Sequence, residues 1–171
     1  MWALTSASRA LVILMAPFAC LTPLLVNDEV QALEAGRVAF EARNGEAALR
    51  RLLPLARKGN SGAEYMVAKV YELGSPYYRG VKQDETLARR HYLHAARIGH
   101  RDAQSAVGFS HLKGLLGFKY STDAATYWFC KAGLQASEDA VANLDLLLAG
   151  WQTTCGLIVE QGEQASWYSQ K

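Results

Sequence analysis

The chain has 171 residues, half of them apolar and a fifth charged, which is typical of a folded globular protein and excludes a disordered one. This length accommodates one domain or one short array of repeats. The formal net charge of +2 is too small to indicate a nucleic-acid-binding protein.

Residues 1–32 have the layout of a secretory signal peptide. Arg9 precedes an apolar run from Ala10 to Val26, and the segment Val30-Gln31-Ala32 predicts cleavage after about Ala32. Prolines interrupt the run, which is shorter than the roughly 20 residues that span a membrane. An uncleaved anchor and a lipid anchor on Cys20 are the alternatives. We therefore expect a periplasmic or secreted protein that has no membrane contact after cleavage.

A recurring spacing of small and apolar residues predicts paired helices. Starting from Ala63, Ala103 and Ala140, the pattern recurs at offsets of 4 and 8 residues, which lie on one helical face. Second helices carry a small residue, a bulky pair, two small residues and a small closing residue. Copies of this second helix run from Ala48 to Gly59, from Ala88 to Gly99 and from Ala125 to Ala136. Bulky side chains that face small ones predict close packing between helices.

The lengths of the loops support this alignment of repeats. Ala63 and Ala103 are 40 residues apart, whereas Ala103 and Ala140 are 37 apart. The loop from Gly74 to Gly80 is three residues longer than the loop from Gly114 to Gly117, which accounts for the difference. The sequence therefore predicts an all-α fold, an α-solenoid of stacked antiparallel helix pairs.

These residues resemble the Sel-1-like repeat family, a relative of the tetratricopeptide repeats. The best copy runs from Ala63 to Gly99 and includes Gly80-Val81-Lys82-Gln83-Asp84, and the segment from Gly36 to Gly59 looks like an opening half-repeat. Three departures are His91 in place of the usual Trp, Ser121 in place of the loop acid, and a third unit that keeps only its first helix. The resemblance implies a repeat domain over residues 33–150, with about two and a half to three helix pairs.

The resemblance also implies a function in protein binding without catalysis. Family members are adaptors or scaffolds, and some small periplasmic members are immunity proteins that block toxic effectors. We therefore expect a non-enzymatic protein that has no cofactor and binds another protein rather than nucleic acid or a membrane. The partner is expected to be an effector toxin or a component of an envelope complex for polysaccharide export, motility or secretion.

First helices should line the concave side of such a solenoid, and residues between the packed offsets should face outward there. The residues expected to face a partner are Tyr65, Lys69, Glu72, Gln104, Phe109 and Lys113. Alternatively, Tyr65 and Phe109 pack against neighbouring turns. The longer loop adds Tyr77, Tyr78 and Arg79, residue types enriched at interaction hot spots. The alternative for this loop is a surface insertion whose tyrosines cover the repeat beneath.

Cys130 and Cys155 remain as an even pair after cleavage, which predicts a disulfide in an oxidising compartment. Two buried free thiols are the alternative. The tail, residues 151–171, is expected to lie back over the last helix or to fray.

His91 and His94 share a helical face and are three residues apart, as zinc ligands can be, but no third ligand is obvious. We expect no metal site, and His91 is predicted to be a packed residue. Arginines along the second helices predict a solvated convex face or steering toward an acidic partner.

Overall fold

The computed structural model describes residues 21–162 and is all-helical over that range. The helices are α1 (Leu21–Glu41), α2 (Gly45–Arg57), α3 (Ser61–Tyr77), α4 (Glu85–Arg97), α5 (Arg101–Lys113), α6 (Thr122–Gly133), α7 (Glu138–Leu147) and α8 (Trp151–Gly162). Consecutive helices pack in pairs, α1 with α2, α3 with α4 and α5 with α6, and each pair packs on the next. The predicted solenoid-like fold is confirmed.

Side-chain caps determine where the helices begin. At the N-caps of α2 to α7 an oxygen or imidazole nitrogen accepts a hydrogen bond from the third backbone N–H of the helix. The Asp84 carboxylate accepts a hydrogen bond from the Leu87 N–H of α4 at 2.9 Å. The Ser121 hydroxyl accepts one from the Ala124 N–H of α6 at 3.1 Å. Serine can therefore replace the expected loop acid, because either side chain supplies the acceptor that the helix N-terminus needs.

The interior interlocks small and large side chains, as the repeat pattern predicts. Between α4, α5 and α6 the rings of Tyr92, Tyr127 and Trp128 pack among the alanines of neighbouring helices. Gly108 in α5 lies against the ring of Phe129 in α6, so close that a methyl group would not fit. Residues at equivalent positions of the repeats therefore also lie at equivalent positions in the buried faces of the helices.

An additional helix follows the first helix of the third repeat unit, but it does not pair with that helix as α4 pairs with α3. Helix α8 follows α7 and packs on α6, where Trp151 and Cys155 are buried. The disulfide between Cys130 and Cys155 joins α6 to α8, which confirms the predicted pairing. Residues 151–162 of the expected tail thus form a docked helix, and residues 163–171 lie outside the described part of the chain.

The N-terminal helix α1 includes the predicted cleavage position after Ala32. Residues 1–20 of the predicted signal, with Cys20, lie outside the described residues. C-terminal to Ala32, Leu33, Ala39 and Phe40 pack on the core formed by α2 and α3. In the described range, no helix combines the length and apolar character needed to cross a membrane.

Candidate functional site

A groove with a volume of about 680 Å³ runs along the first helices of successive units. Helices α3, α5 and α7 supply most of its wall, and Tyr92 from α4 reaches it from behind. Its lining residues are Tyr65, Lys69, Glu72, Tyr92, Asp102, Ser105, Ala106, Phe109, Ser110, Leu115, Asp139, Ala142 and Asn143. We call this surface the concave groove.

Aromatic rings of the concave groove are held in fixed positions by their neighbours. The Tyr65 ring stacks on the imidazole of His100 with centroids 4.6 Å apart, and it meets the Tyr92 ring edge-on at 5.9 Å. The Tyr92 hydroxyl donates a hydrogen bond to the Glu72 carboxylate at 2.6 Å. Because these contacts come from α3, α4 and the N-cap of α5, the rings are positioned before any partner arrives.

Phe109 presents the most accessible aromatic surface of the groove, with 43% of the residue exposed. Leu115, which is also exposed, lines the same groove beside it. The Lys113 ammonium lies 6.0 Å from the centroid of the Phe109 ring, at the outer limit of a cation–π contact. An accessible ring among polar side chains is typical of an anchor in a protein–protein interface.

Negative charge predominates in the concave groove. Its lining includes the carboxylates of Glu72, Asp102 and Asp139 but a single ammonium, that of Lys69. Lys69 Nζ lies 3.6 Å from the Glu72 carboxylate, so this pair is locally neutral. Burial, together with the charges of Asp102, Glu72 and Asp139, raises the pKa of Tyr65 to about 12. Tyr65 therefore stays a neutral hydrogen-bond donor near neutral pH.

The structure brings together four of the residues predicted to face a partner, because Tyr65, Lys69, Glu72 and Phe109 all line the concave groove. Lys113 lies beside it, over the Phe109 ring. Gln104 was expected to face outward, and that prediction is wrong. Its side chain is buried and donates a hydrogen bond to the Ala96 carbonyl at 3.0 Å, which ties α5 to α4.

Tyr78 cannot contact a partner, contrary to the prediction, because only 1% of the residue is exposed. Backbone angles at Gly74 and Ser75 break the helix and turn the segment toward α1. The Tyr78 ring then packs 5.2 Å from the Phe40 ring, and the Arg43 guanidinium lies 5.3 Å from its centroid. The longer loop thus fastens the first helix pair to the second.

Tyr77 and Arg79 remain on the surface, and 58% of Tyr77 is exposed. Neither residue lines the concave groove. The backbone of Arg79 donates to the Arg43 carbonyl and accepts from the Gly45 N–H, so the position of this residue is fixed by the turn between α1 and α2. Tyr77 and Arg79 thus lie on an exposed surface that is separate from the concave groove.

Sequence reasoning missed Glu64, which is buried between α3 and α4. Nδ1 of His91 and Nδ1 of His94 each donate a hydrogen bond to its carboxylate, at 2.5 Å and 2.7 Å. Burial alone would raise the pKa of Glu64. The hydrogen bonds from His91 and His94 and the charges of these imidazoles together lower it by a larger amount, so the net shift is downward. Within residues 21–162, no group of three or more His, Cys, Asp and Glu side chains is arranged to hold a metal ion.

A second cleft, of about 470 Å³, lies on the outer side of α4. It is basic, since Arg89, Arg90 and Arg97 line it together with both histidines. The prediction of a basic surface on the second helices thus corresponds to a defined cleft. The molecule therefore carries an acidic concave groove and a basic outer cleft on different sides of the α3–α4 pair.

Comparisons with known proteins give one partial similarity. A stretch of 92 residues, 54% of this chain, is 34% identical to part of "Chitin synthase regulatory factor 4" from Schizosaccharomyces pombe. The match spans only 13% of the length of that relative. No protein-family model matches the chain, and no solved structure matches it.

Proposed function

We propose that this protein is a protein-binding module of the Sel-1-like repeat type and that the concave groove is its interaction surface. The observation that carries the proposal is the accessible ring of Phe109 beside the fixed ring of Tyr65 in a groove built by α3, α5 and α7. Stacked helix pairs create extended concave surfaces of this kind, which suit a protein segment better than a small molecule.

Two further observations support a binding role. The partial similarity is to a protein that is named as a regulatory factor of chitin synthase, although it covers only 13% of that protein. The groove tyrosine Tyr65 has a raised pKa, which suits hydrogen bonding rather than nucleophilic attack. The proposed binding role involves no reaction and no cofactor.

We propose a periplasmic or secreted location, with residues 1–32 acting as a cleaved signal peptide. The disulfide between Cys130 and Cys155 supports this location, because structural disulfides persist in oxidising compartments. Of the binding roles, immunity against a toxic effector is our first candidate, because a small array with prearranged aromatic side chains suits tight stoichiometric inhibition.

A scaffold within an envelope assembly is the second candidate. A scaffold needs at least two separate surfaces, and the basic cleft of α4 supplies one that is distinct from the concave groove. Deletion of the gene separates the roles. Immunity predicts toxicity that disappears when the neighbouring effector gene is also deleted, whereas a scaffold predicts loss of a multi-protein complex and an envelope defect.

Purification of the tagged protein from its native envelope fraction, followed by reconstitution with the recovered partner, tests the binding proposal. Isothermal titration calorimetry should show that Phe109→Ala weakens the complex at least about tenfold, as expected for loss of an aromatic anchor. Tyr120→Ala is the matched control, because Tyr120 is an aromatic with 68% exposure outside the groove. Equal affinities of the two variants would refute the groove as the binding surface.

A further inference from the structure

We propose that the concave groove accepts a basic segment of the partner, whose arginine or lysine side chains lie between Asp102, Asp139 and the rings of Tyr65 and Phe109. This inference rests on the proposed binding function and specifies the chemistry of the partner. It concerns the inner face of the array, whereas the arginines of α4 mark the outer face.

The carboxylates of Asp102 and Asp139 are the charges that remain available to a ligand. Lys69 pairs with Glu72, and Glu72 also accepts the Tyr92 hydroxyl, so this carboxylate is satisfied. Asp102 contacts Arg101 in a solvent-exposed pair of adjacent residues, an arrangement that contributes little energy. Within residues 21–162, Asp139 forms no ion pair.

Both carboxylates line the concave groove, Asp102 from the first turn of α5 and Asp139 from the first turn of α7. The charge of each also contributes to the raised pKa of Tyr65, which lines the same groove. Carboxylates that converge on a partly buried site attract a cation more strongly than the same charges spread over an exposed surface.

The aromatic side chains favour the same occupant. A guanidinium or ammonium group is attracted to the face of a tyrosine or phenylalanine ring, and a guanidinium can also stack on it. The Phe109 ring is accessible to such a group, since 43% of the residue is exposed, and the Lys113 ammonium lies 6.0 Å from the ring centroid. An apolar side chain beside the basic one would cover Leu115 at the edge of the groove.

An acidic segment is disfavoured in the concave groove, because burying a further carboxylate beside Asp102 and Asp139 would add like-charge repulsion. The basic cleft of α4 would attract an acidic segment, but it lies outside the groove. The opposite charges of the two surfaces thus discriminate between orientations of one partner, with its basic part in the groove.

Two capped peptides probe the charge preference, the arginine peptide GSRFGSRLGS and the glutamate peptide GSEFGSELGS. We expect the arginine peptide to shift the amide resonances of Tyr65, Ser105 and Phe109 in the purified protein, and to bind at least about fivefold more tightly than the glutamate peptide. Glutamate binding that matches arginine binding, or no arginine binding at about 5 mM peptide, would overturn the inference.

The variant Asp102→Asn/Asp139→Asn should weaken binding of the arginine peptide about fivefold or more. The matched control is Glu85→Gln/Asp123→Asn, because both residues lie in the first turns of helices, α4 and α6, but not in the groove. Both double variants lose the same favourable contacts with helix dipoles, so a difference between them reports on the groove itself. Equal loss of binding in the two variants would contradict the inference.

The purified partner separates this inference from the proposed function. If Phe109→Ala weakens the complex and the Asp102→Asn/Asp139→Asn variant does not, the groove is the binding surface but its occupant is not basic. If neither variant weakens the complex, both proposals are wrong. The predicted result is that both variants weaken it and that raising the salt concentration from about 0.05 M to about 0.5 M reduces the affinity of the wild type more than that of the aspartate variant.

Discussion

His91 in α4 donates a hydrogen bond from Nδ1 to the carboxylate of Glu64 in α3, and this 2.5 Å contact joins the two helices of the first complete repeat. Gln104 occupies the same repeat position as Glu64 in the next unit, one residue after the first alanine. The side-chain amide of Gln104 donates a hydrogen bond to the Ala96 carbonyl and accepts one from the side-chain amide of Gln135. One buried repeat position thus carries two different polar links between helices.

Replacing Glu64 with glutamine should make stability less dependent on pH. The pKa of Glu64 is lowered from 4.5 by His91 and His94, despite burial, so its ionised form stabilises the fold at higher pH. That stabilisation is lost as the pH falls through the folded-state pKa, below about 4.5. We expect Glu64→Gln to lose about 1–3 kcal/mol in urea unfolding at pH 7.

The difference between wild type and Glu64→Gln should shrink at pH values below 4.5. Glu85→Gln, at an exposed first-turn position of α4, is the control and should cost much less at neutral pH. Glu64→Gln could also lower the free energy of unfolding by the same amount at pH 7 and at about pH 3. That result would show that the hydrogen bonds, and not the charge, account for the loss.

Removal of the disulfide should destabilise the protein by roughly 3 kcal/mol, because Cys130 and Cys155 close a loop across 25 residues. Urea unfolding of the double variant Cys130→Ser/Cys155→Ser measures this loss. Reductant should lower the unfolding midpoint of the wild type and leave that of the variant unchanged. A wild type that unfolds at the same urea concentration with and without reductant would contradict the pairing.

Ala136→Gly should stabilise the protein by about 1 kcal/mol. Ala136 has a φ of 58°, in the left-handed region, where the equivalent positions of earlier repeats carry Gly59 and Gly99. Glycine adopts this conformation without the steric cost of a Cβ atom. Calorimetry should show a higher Tm, while Ala142→Gly, at an exposed position inside α7, should lower it. An unchanged or lower Tm for Ala136→Gly would be inconsistent with strain at this turn.

Gly108→Ala should destabilise the contact between α5 and α6 by about 1–3 kcal/mol, since overpacking forces side chains or backbone to move. An added Cβ would lie 2.9 Å from the Phe129 ring and 3.2 Å from the Ala125 carbonyl oxygen. Gly156→Ala in α8 is the control with the opposite sign, because a Cβ there meets no atom within 4 Å and alanine favours the helix. Chemical unfolding in which Gly108→Ala matches the wild type would contradict the close packing.

The repeat sequence predicts the helix pairs and their buried faces because the spacing of small and bulky residues is itself the packing surface. It also predicts the positions of Tyr65 and Phe109, which lie between the packed offsets on first helices. Other features depend on contacts between distant segments. Tyr78 is buried by Phe40 and Arg43, and nothing within the loop itself indicates those neighbours.

Helix α8 illustrates the same limit. Its sequence lacks the small–bulky–small pattern, and the helix is instead attached by a disulfide and by Trp151, whose indole N–H donates to Asp145 at 2.9 Å. Glu64 escaped sequence analysis because its histidine partners are 27 and 30 residues away. Offsets within a helix identify which residues are buried, but not which distant side chains meet them.

Hydrogen–deuterium exchange of the complex with the purified partner tests the central claim, that the concave groove binds another protein, most directly. We predict that binding slows amide exchange in α3, α5 and α7, around Tyr65, Phe109 and Asp139, and leaves the outer surface of α4 unchanged. Protection confined to α2, α4 and α6, with none along the groove, would contradict the claim.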